Sequence, residues 1–165
     1  MAKQSAGLLL YRKKDGRTEV FLVHPGGPFW KNKDDGAWSI PKGEFEAGEE
    51  PFEAAKREFQ EETGFAALGE FRPLRPVRQP SGKMVHAWAQ ESDLDAEAVK
   101  SNSFSMEWPP GSGRTAEFPE IDRAGWFPID AARRKILKGQ LPLLVQLEDN
   151  VTERSPRRPE RNPTQ

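Results

Sequence analysis

Three glutamates, Glu58, Glu61 and Glu62, are the residues of this chain whose spacing best suits joint chemistry. On a helix they fall within about 100° of each other, on the flank of a predicted apolar stripe. Carboxylates that converge beside a core are costly without a counter-ion, and a divalent cation removes that cost. A cluster of oxygen ligands suits a hard ion such as Mg²⁺ or Mn²⁺. The alternative is a solvated glutamate face, because Glu-rich helices are common.

The loop before these glutamates favours the cation. Gly43 and Gly48 allow the backbone to approach an ion or a phosphate closely. Lys42 adds a positive charge beside the first glycine. An anion-binding loop that leads into a helix of carboxylates indicates a metal between the protein and a phosphorylated ligand.

The helix that must position the glutamates has clear start and stop signals. It is predicted to begin at Glu49 or Glu50, with Pro51 in its first turn, and to end at Gly64. Arg57 lies one turn before Glu61, within pairing distance. The apolar stripe follows a helical spacing through Phe52, Ala55, Phe59 and Thr63.

Strands are predicted on both sides of this helix. "SAGLLLYRK" (5–13) and "TEVFLVHP" (18–25) flank an Asp-Gly turn and predict a hairpin. Further strands are expected at 68–79, where two prolines indicate a bend or an edge, and at 83–91 and 123–129.

The remaining segments are predicted to be loops and two helices. Loops are expected at 26–36 and over the long polar connection at 92–120, and the segments 26–36 and 102–120 are both longer than usual. A basic helix is predicted from Asp130 through 131–139, and a short final helix over 141–151.

Composition limits the classes of protein this chain can be. It has 165 residues, 35% hydrophobic and 31% charged, with a formal net charge of −1 and no cysteine. These values predict one domain over 1–151 and a disordered polar tail over 152–165. They exclude disulfides and cysteine-based zinc sites. We expect a cytoplasmic monomer or homodimer, with no membrane contact and no specific nucleic-acid partner.

Nine positions in fixed register over 43–65 match the signature of the Nudix family. They are Gly43, Glu49, Arg57, Glu58, Phe59, Glu61, Glu62, Gly64 and Phe65. The resemblance extends over about residues 5–150, with the order of predicted elements agreeing with that family. It implies a single-domain α/β/α sandwich around a mixed β-sheet, and hydrolysis of a nucleoside diphosphate linked to another group with Mg²⁺ or Mn²⁺.

The resemblance also implies roles for the matching positions. Metal ligands are expected at Gly43, through its carbonyl, and at Glu58, Glu61 and Glu62. Arg57 resembles the arginine that orients these glutamates, and Glu49 the residue that steadies the loop and the helix. The general base is left open between Glu61, Glu62 and a carboxylate from outside the helix.

Glu120 is the best outside carboxylate, for catalysis and for the metal. It lies six residues before Trp126, an offset at which pyrophosphohydrolases of this family often carry a metal-binding glutamate. Glu117 is the second choice, and an ordinary surface glutamate is the alternative for both.

The substrate is expected to be a dinucleoside polyphosphate or a nucleoside triphosphate. "WSIPKGEFEAGE" and "PSGKMVHAWA" resemble segments of dinucleoside polyphosphate hydrolases. Lys42, Lys83 and His86 are therefore candidates to contact polyphosphate, and Trp30 and Trp108 to stack on a base. Three other tryptophans are assigned to the core: Trp38, Trp88 and Trp126.

A catalytically silent Nudix domain that binds a nucleotide or RNA as a sensor is the alternative function. Such domains usually lose glutamates of the signature, whereas all of them are present here. An isoprenoid diphosphate isomerase of the same fold needs a catalytic cysteine, which this chain does not have.

Overall fold

The computed structural model describes residues 3–153; Met1, Ala2 and residues 154–165 lie outside it. Three helices and nine strands are described. The helices are α1 (Pro51–Thr63), α2 (Ile129–Lys135) and α3 (Leu141–Glu153). The strands are β1 (Gln4–Lys14), β2 (Arg17–Pro25), β3 (Lys42–Glu44), β4 (Arg72–Pro73), β5 (Val77–Arg78), β6 (Met84–Glu91), β7 (Ser103–Glu107), β8 (Thr115–Pro119) and β9 (Ile121–Pro128).

A mixed seven-stranded sheet forms the middle layer. Its main path is β4-β6-β1-β2-β9, with β3 paired to β1 and β5 paired to β6. β1 runs antiparallel to β2 and parallel to β6. The predicted hairpin between β1 and β2 is confirmed: Asp15 and Gly16 both have positive φ, 52° and 76°, as the tight turn requires.

Helices cover both faces of this sheet. On one face, Phe59 and two alanines of α1 pack on Leu8, Leu10 and Phe21. On the other face, residues of α2 and α3 pack on the alternate strand positions, Leu9 and Leu22 among them. This alternation buries the central strands from both sides. The expected α/β/α sandwich around a mixed sheet is confirmed.

Two predicted elements are shorter than expected. The strand predicted at 68–79 is reduced to β4 and β5, two residues each, which pair with β6 on either side of Pro76. α2 ends at Lys135 instead of continuing to 139. Ile136 turns to an extended conformation, is 2% exposed and forms a bridge with Trp38, so a tertiary contact ends the helix.

The connection at 92–120 is a loop only in part. β7 and β8 form a separate two-stranded sheet there, with Phe104 opposite Phe118 and Met106 opposite Ala116. These four side chains occupy the half-buried positions of each strand, and the residues between them are exposed. The prediction of a loop throughout this segment is therefore wrong.

The end of the described chain bears on the predicted tail. Thr152 and Glu153 belong to the last turn of α3, so the first two residues of that tail lie on a helix. Residues 154–165 lie outside the described residues, and their disorder stays a prediction. Over residues 3–153, no helix combines the length and the apolar character needed to cross a membrane.

Candidate active site

α1 fixes the glutamates because both of its ends are capped. The Glu50 carboxylate accepts a hydrogen bond of 3.0 Å from the Glu53 amide, with Pro51 in the first turn. Gly64 adopts the left-handed conformation with φ 82° and donates its amide to the Gln60 carbonyl. Both predicted boundaries are confirmed. Phe59 is 2% exposed and anchors the helix on β1, which sets its glutamate flank beside β3.

Arg57 joins the glutamates of the helix to the loop before it. Its Nε and Nη2 donate to the two carboxylate oxygens of Glu49 at 2.9 and 3.0 Å. Its Nη1 donates to Glu58 at 2.9 Å and to Glu61 at 3.3 Å. The bonds to Glu49 raise the pKa of Arg57 most, and Glu58 adds to this. One guanidinium therefore orients two of the three helix glutamates that are predicted to bind metal.

Gly43 lets the Glu58 carboxylate lie directly against β3. A Cβ at residue 43 would overlap the carboxylate carbon and oxygens of Glu58. The Glu58 side chain is 14% exposed, and burial raises its pKa against the opposing effect of Arg57. The signature glycine thus makes room for a carboxylate in a place where its charge is poorly solvated.

Glu62 is the most deeply placed of the three helix carboxylates. Its Oε1 accepts a hydrogen bond of 3.2 Å from the Lys42 amide. Burial, and then the neighbouring Glu58, raise the pKa of Glu62 to about 8. The positive charge near Glu62 is therefore too small to offset the effects that disfavour its ionised form.

Glu120 reaches the same region from between β8 and β9. Its amide donates to the Asn102 carbonyl at 2.8 Å, and its carbonyl accepts from the Gly26 amide at 2.9 Å. Burial raises the pKa of Glu120, with Glu61 as the second cause, and the charge of Glu120 contributes to the raised pKa of Glu62. Glu117 occupies an exposed position of β8.

A pocket of about 210 Å³ joins these groups. Polar or aromatic side chains on its wall come from Trp30, Ser39, Lys42, Glu62 and Glu120. Burial lowers the pKa of Lys42, and the nearby Lys83 lowers it further. Trp30 is 37% exposed. An aromatic ring, a lysine and two carboxylates at one opening can hold a base and a phosphate near acidic groups.

The donor chemistry fits a hard divalent cation. The candidate ligands are carboxylate oxygens of Glu58, Glu61, Glu62 and Glu120 with the Gly43 carbonyl, and burial raises the pKa of several of these acids. Within residues 3–153, however, no three acidic or histidine side chains are already gathered for a metal. Arg57 takes up the carboxylates of Glu58 and Glu61.

Three residues that were predicted to bind the substrate make their contacts outside the pocket. Lys83 forms an ion pair of 2.9 Å with Glu44. His86 Nε2 lies 2.5 Å from Gln4 Oε1. Trp108 meets Phe29 edge to face, with ring centroids 5.5 Å apart. Their roles toward a substrate stay predictions. Trp38 is buried as expected, and Trp88 and Trp126 pack against the core beside α1.

Sequence reasoning missed one buried histidine beside the pocket and its acidic partner. His24 is 0% exposed, and its Nδ1 lies 2.8 Å from Oδ1 of Asp122. A signal was present, because His24 continues the alternation of Val20 and Leu22 toward the core. A histidine at such a position needs partners, but the sequence did not identify Asp122 as one.

Known proteins resemble this chain in sequence. A NUDIX domain family model matches residues 1–147. An 8-oxo-(d)GTP phosphatase of Mycolicibacterium smegmatis is 35% identical over 143 residues, which cover 78% of this chain and 36% of that protein. An asymmetrical bis(5'-nucleosyl)-tetraphosphatase of Rattus norvegicus is 35% identical over 111 residues, 59% of this chain and 71% of that protein.

A solved structure shows the same fold. A C. elegans Ap4A hydrolase in a binary complex has a TM-score of 0.60 at 22% identity, covering 92% of this chain and 99% of that one. The match to the mycobacterial phosphatase is partial, because this chain spans only about a third of the length of that protein.

Proposed function

The chain belongs to the NUDIX domain family, and from that premise we propose that it hydrolyses a phosphoanhydride bond in a nucleoside diphosphate linked to a further group. One observation carries this proposal. Glu62, Glu120, Lys42 and Trp30 line a single pocket, at the end of the glutamate network that Arg57 holds.

Residues in and beside the pocket have different roles in binding. Trp30 offers a partly exposed ring for stacking on a base, worth about 1–3 kcal/mol. Lys42 supplies positive charge for a phosphate group. Arg57 holds Glu58 and Glu61 in position, and Glu49 holds Arg57.

The acidic residues would hold Mg²⁺ or Mn²⁺. The ligands are Glu58, Glu61, Glu62 and Glu120, with the carbonyl of Gly43. When bound, such a cation supplies stabilisation of the negative charge on a pyrophosphate. One of the carboxylates of Glu61, Glu62 and Glu120 accepts the proton of the attacking water. Positioning and charge neutralisation provide most of the rate enhancement.

The substrate class follows from the pocket and from the relatives. At about 210 Å³ the pocket is smaller than the roughly 300–1,000 Å³ of sites for drug-sized ligands. It therefore takes one part of a nucleotide and leaves the rest on the open surface. The relatives are named for 8-oxo-(d)GTP and for a dinucleoside tetraphosphate. We infer that the substrate is a dinucleoside polyphosphate or a nucleoside triphosphate.

The test is turnover of a substrate panel by the full chain. Nucleoside triphosphates, 8-oxo-dGTP, diadenosine polyphosphates and ADP-ribose are incubated with Mg²⁺, Mn²⁺ or EDTA, and products are identified by mass. The proposal expects cation-dependent cleavage by the wild type. Glu61→Gln should lower kcat at least about 100-fold, as loss of a key charged group does. Glu53→Gln, on an exposed position of the same helix, is the matched control and should keep wild-type kcat.

Two results would count against this function. Wild-type kcat in Glu61→Gln would exclude the proposed site. Tight nucleotide binding without turnover of any member of the panel would favour the alternative of a nucleotide-binding sensor.

A further inference from the structure

A histidine that the proposed reaction does not use lies buried where three segments meet. His24, near the end of β2, is 0% exposed, and its ring packs edge-on against Trp38 with centroids 5.1 Å apart. Nδ1 lies 2.8 Å from Oδ1 of Asp122 in β9, and Nε2 lies 2.7 Å from the carbonyl oxygen of Lys33. The ring thus connects β2, the loop at 26–36 and the start of β9.

Both partners of this ring are hydrogen-bond acceptors. A peptide carbonyl can only accept, so Nε2 must donate to Lys33. The Asp122 carboxylate is the partner of the second ring nitrogen, and its Oδ1 also lies 3.5 Å from Nε of Arg123. Both nitrogens of the buried ring therefore have polar partners, as buried polar groups require.

The hydrogen bond to Lys33 connects His24 to the turn that carries Trp30. The Lys33 amide donates to the Trp30 carbonyl at 3.0 Å, and the Trp30 amide lies 3.4 Å from the Gly27 carbonyl. Trp30 and Lys33 therefore belong to one turn, and His24 holds that turn by the carbonyl at its end. Trp30 lines the pocket from this turn.

The hydrogen bond to Asp122 connects His24 to the segment that carries Glu120. Asp122 follows Glu120 by two residues, and the Gly26 amide donates to the Glu120 carbonyl at 2.9 Å. A Cβ at Gly26 would overlap the Pro119 carbonyl, so the two segments cross at close range. The β2–β9 register shifts between His24 and Pro25, which makes backbone pairing irregular at this crossing. The His24–Asp122 bond adds a side-chain contact at this crossing, beside the backbone bonds that Glu120 makes to Gly26 and Asn102.

We propose that His24 is a positioning residue of the candidate site: its paired bonds to Asp122 and Lys33 hold Glu120 and Trp30 at the pocket. Its effect on turnover rests on the proposed function. Its effect on the two segments does not, because it can be measured without a substrate.

The first measurement is hydrogen–deuterium exchange of wild-type protein and of His24→Gln. Glutamine keeps a polar side chain but lacks the two ring nitrogens that face Asp122 and the Lys33 carbonyl. Peptides that cover 26–36 and 120–123 should exchange faster in the variant, whereas peptides of α1 should be unchanged. Glu19→Gln is the matched control, because it breaks the Arg12–Glu19 ion pair of 2.8 Å at the other end of β2. It should leave both segments as in the wild type.

The second measurement is kinetics on the best substrate of the panel. In His24→Gln we expect KM to rise because Trp30 shifts, and kcat to fall because Glu120 shifts. Together they should lower kcat/KM by about 10- to 100-fold, the range expected for a small misplacement. Asp122→Ala should lower kcat in the same way but affect KM less, since it breaks only the bond toward Glu120, and it should add little to His24→Gln. Asp122→Asn, which keeps an acceptor oxygen, should restore much of the activity.

The outcomes separate this inference from the proposed function. Unchanged exchange at 26–36 and 120–123 in folded His24→Gln overturns the inference, and so does faster exchange with wild-type kcat and KM. If His24→Gln does not fold, Asp122→Ala tests the bond toward Glu120, and unchanged exchange at 120–123 in that variant overturns the inference. An inactive wild type counts against the proposed function, and the exchange result alone then decides whether His24 positions the two segments.

Discussion

Gly43 is the residue at which a single added carbon matters most for the candidate site. A Cβ there would overlap the Glu58 carboxylate, which is the far end of a flexible side chain and can move away. Because a side-chain movement relieves this overlap, we expect Gly43→Ala to destabilise the fold by only about 0.5–1 kcal/mol, at the low end for point substitutions. Displacing Glu58 by about 1 Å should nevertheless lower kcat roughly 100-fold.

Steady-state kinetics together with a melting curve tests this pair of effects. Gly48→Ala is the matched control, since no atom lies within 4 Å of a Cβ at that position of the same loop. It should keep both turnover and stability. Wild-type kcat in Gly43→Ala would show that catalysis does not depend on the present position of Glu58.

At the scale of residues, the sequence predicts what depends on local spacing. Arg57, Glu58 and Glu61 are placed by helix periodicity alone, and the structure brings them together as that spacing requires. His24 and Asp122 are 98 positions apart, so no local pattern links them. Their pairing depends on the antiparallel register of β2 and β9, which forms only when the sheet does.

At the scale of elements, the candidate site depends on how closely β3 lies against β1. β3 has only three residues, and the Leu8 amide donates to the Pro41 carbonyl at 3.1 Å just before it. A Cβ at Gly7 would overlap that carbonyl and the Lys42 Cβ. Both are part of the chain leading into β3, so neither can move without shifting the backbone.

We therefore expect Gly7→Ala to destabilise the fold by about 1–3 kcal/mol, the usual cost of overpacking. Activity should fall as well, because β3 carries both Lys42 and Gly43. Chemical denaturation measures the first effect. Ser5→Ala is the control on the same strand: the Ser5 hydroxyl is buried without a hydrogen-bond partner among the described residues, so its removal should not destabilise. Equal midpoints for wild type and Gly7→Ala would contradict the expected crowding.

Elements with strong local signals are predicted from the sequence, and those decided by tertiary contacts are not. α1 has caps at both ends, and the β1–β2 hairpin has its Asp-Gly turn. The β7–β8 hairpin has five-residue strands in a polar segment, where the half-buried alternation is too short to stand out. α2 stops at Lys135 because Ile136 pairs with Trp38, a contact that helix propensity cannot indicate.

At the scale of the whole molecule, the sandwich holds a charged site at the cost of stability. The apolar layers on both faces of the sheet set α1 where its glutamates are partly buried. The ordinary pKa of a glutamate is 4.5, whereas that of Glu62 in the fold is raised to about 8. Between these values the folded protein keeps a proton that the unfolded chain releases. Without a cation, the free energy of unfolding must therefore fall as pH rises through this window.

Thermal and urea unfolding in EDTA, at constant ionic strength from pH 5.5 to 8.5, measures this dependence. Wild-type protein should lose stability with rising pH, with a slope of at most about 1.4 kcal/mol per pH unit from this group. Glu62→Gln cannot release the proton and should flatten the curve, whereas the exposed Glu46→Gln should follow the wild type. Adding Mg²⁺ should restore wild-type stability most at pH 8, because a cation favours the ionised carboxylate. A wild-type curve in EDTA parallel to that of Glu62→Gln would mean that Glu62 ionises as readily in the fold as in water.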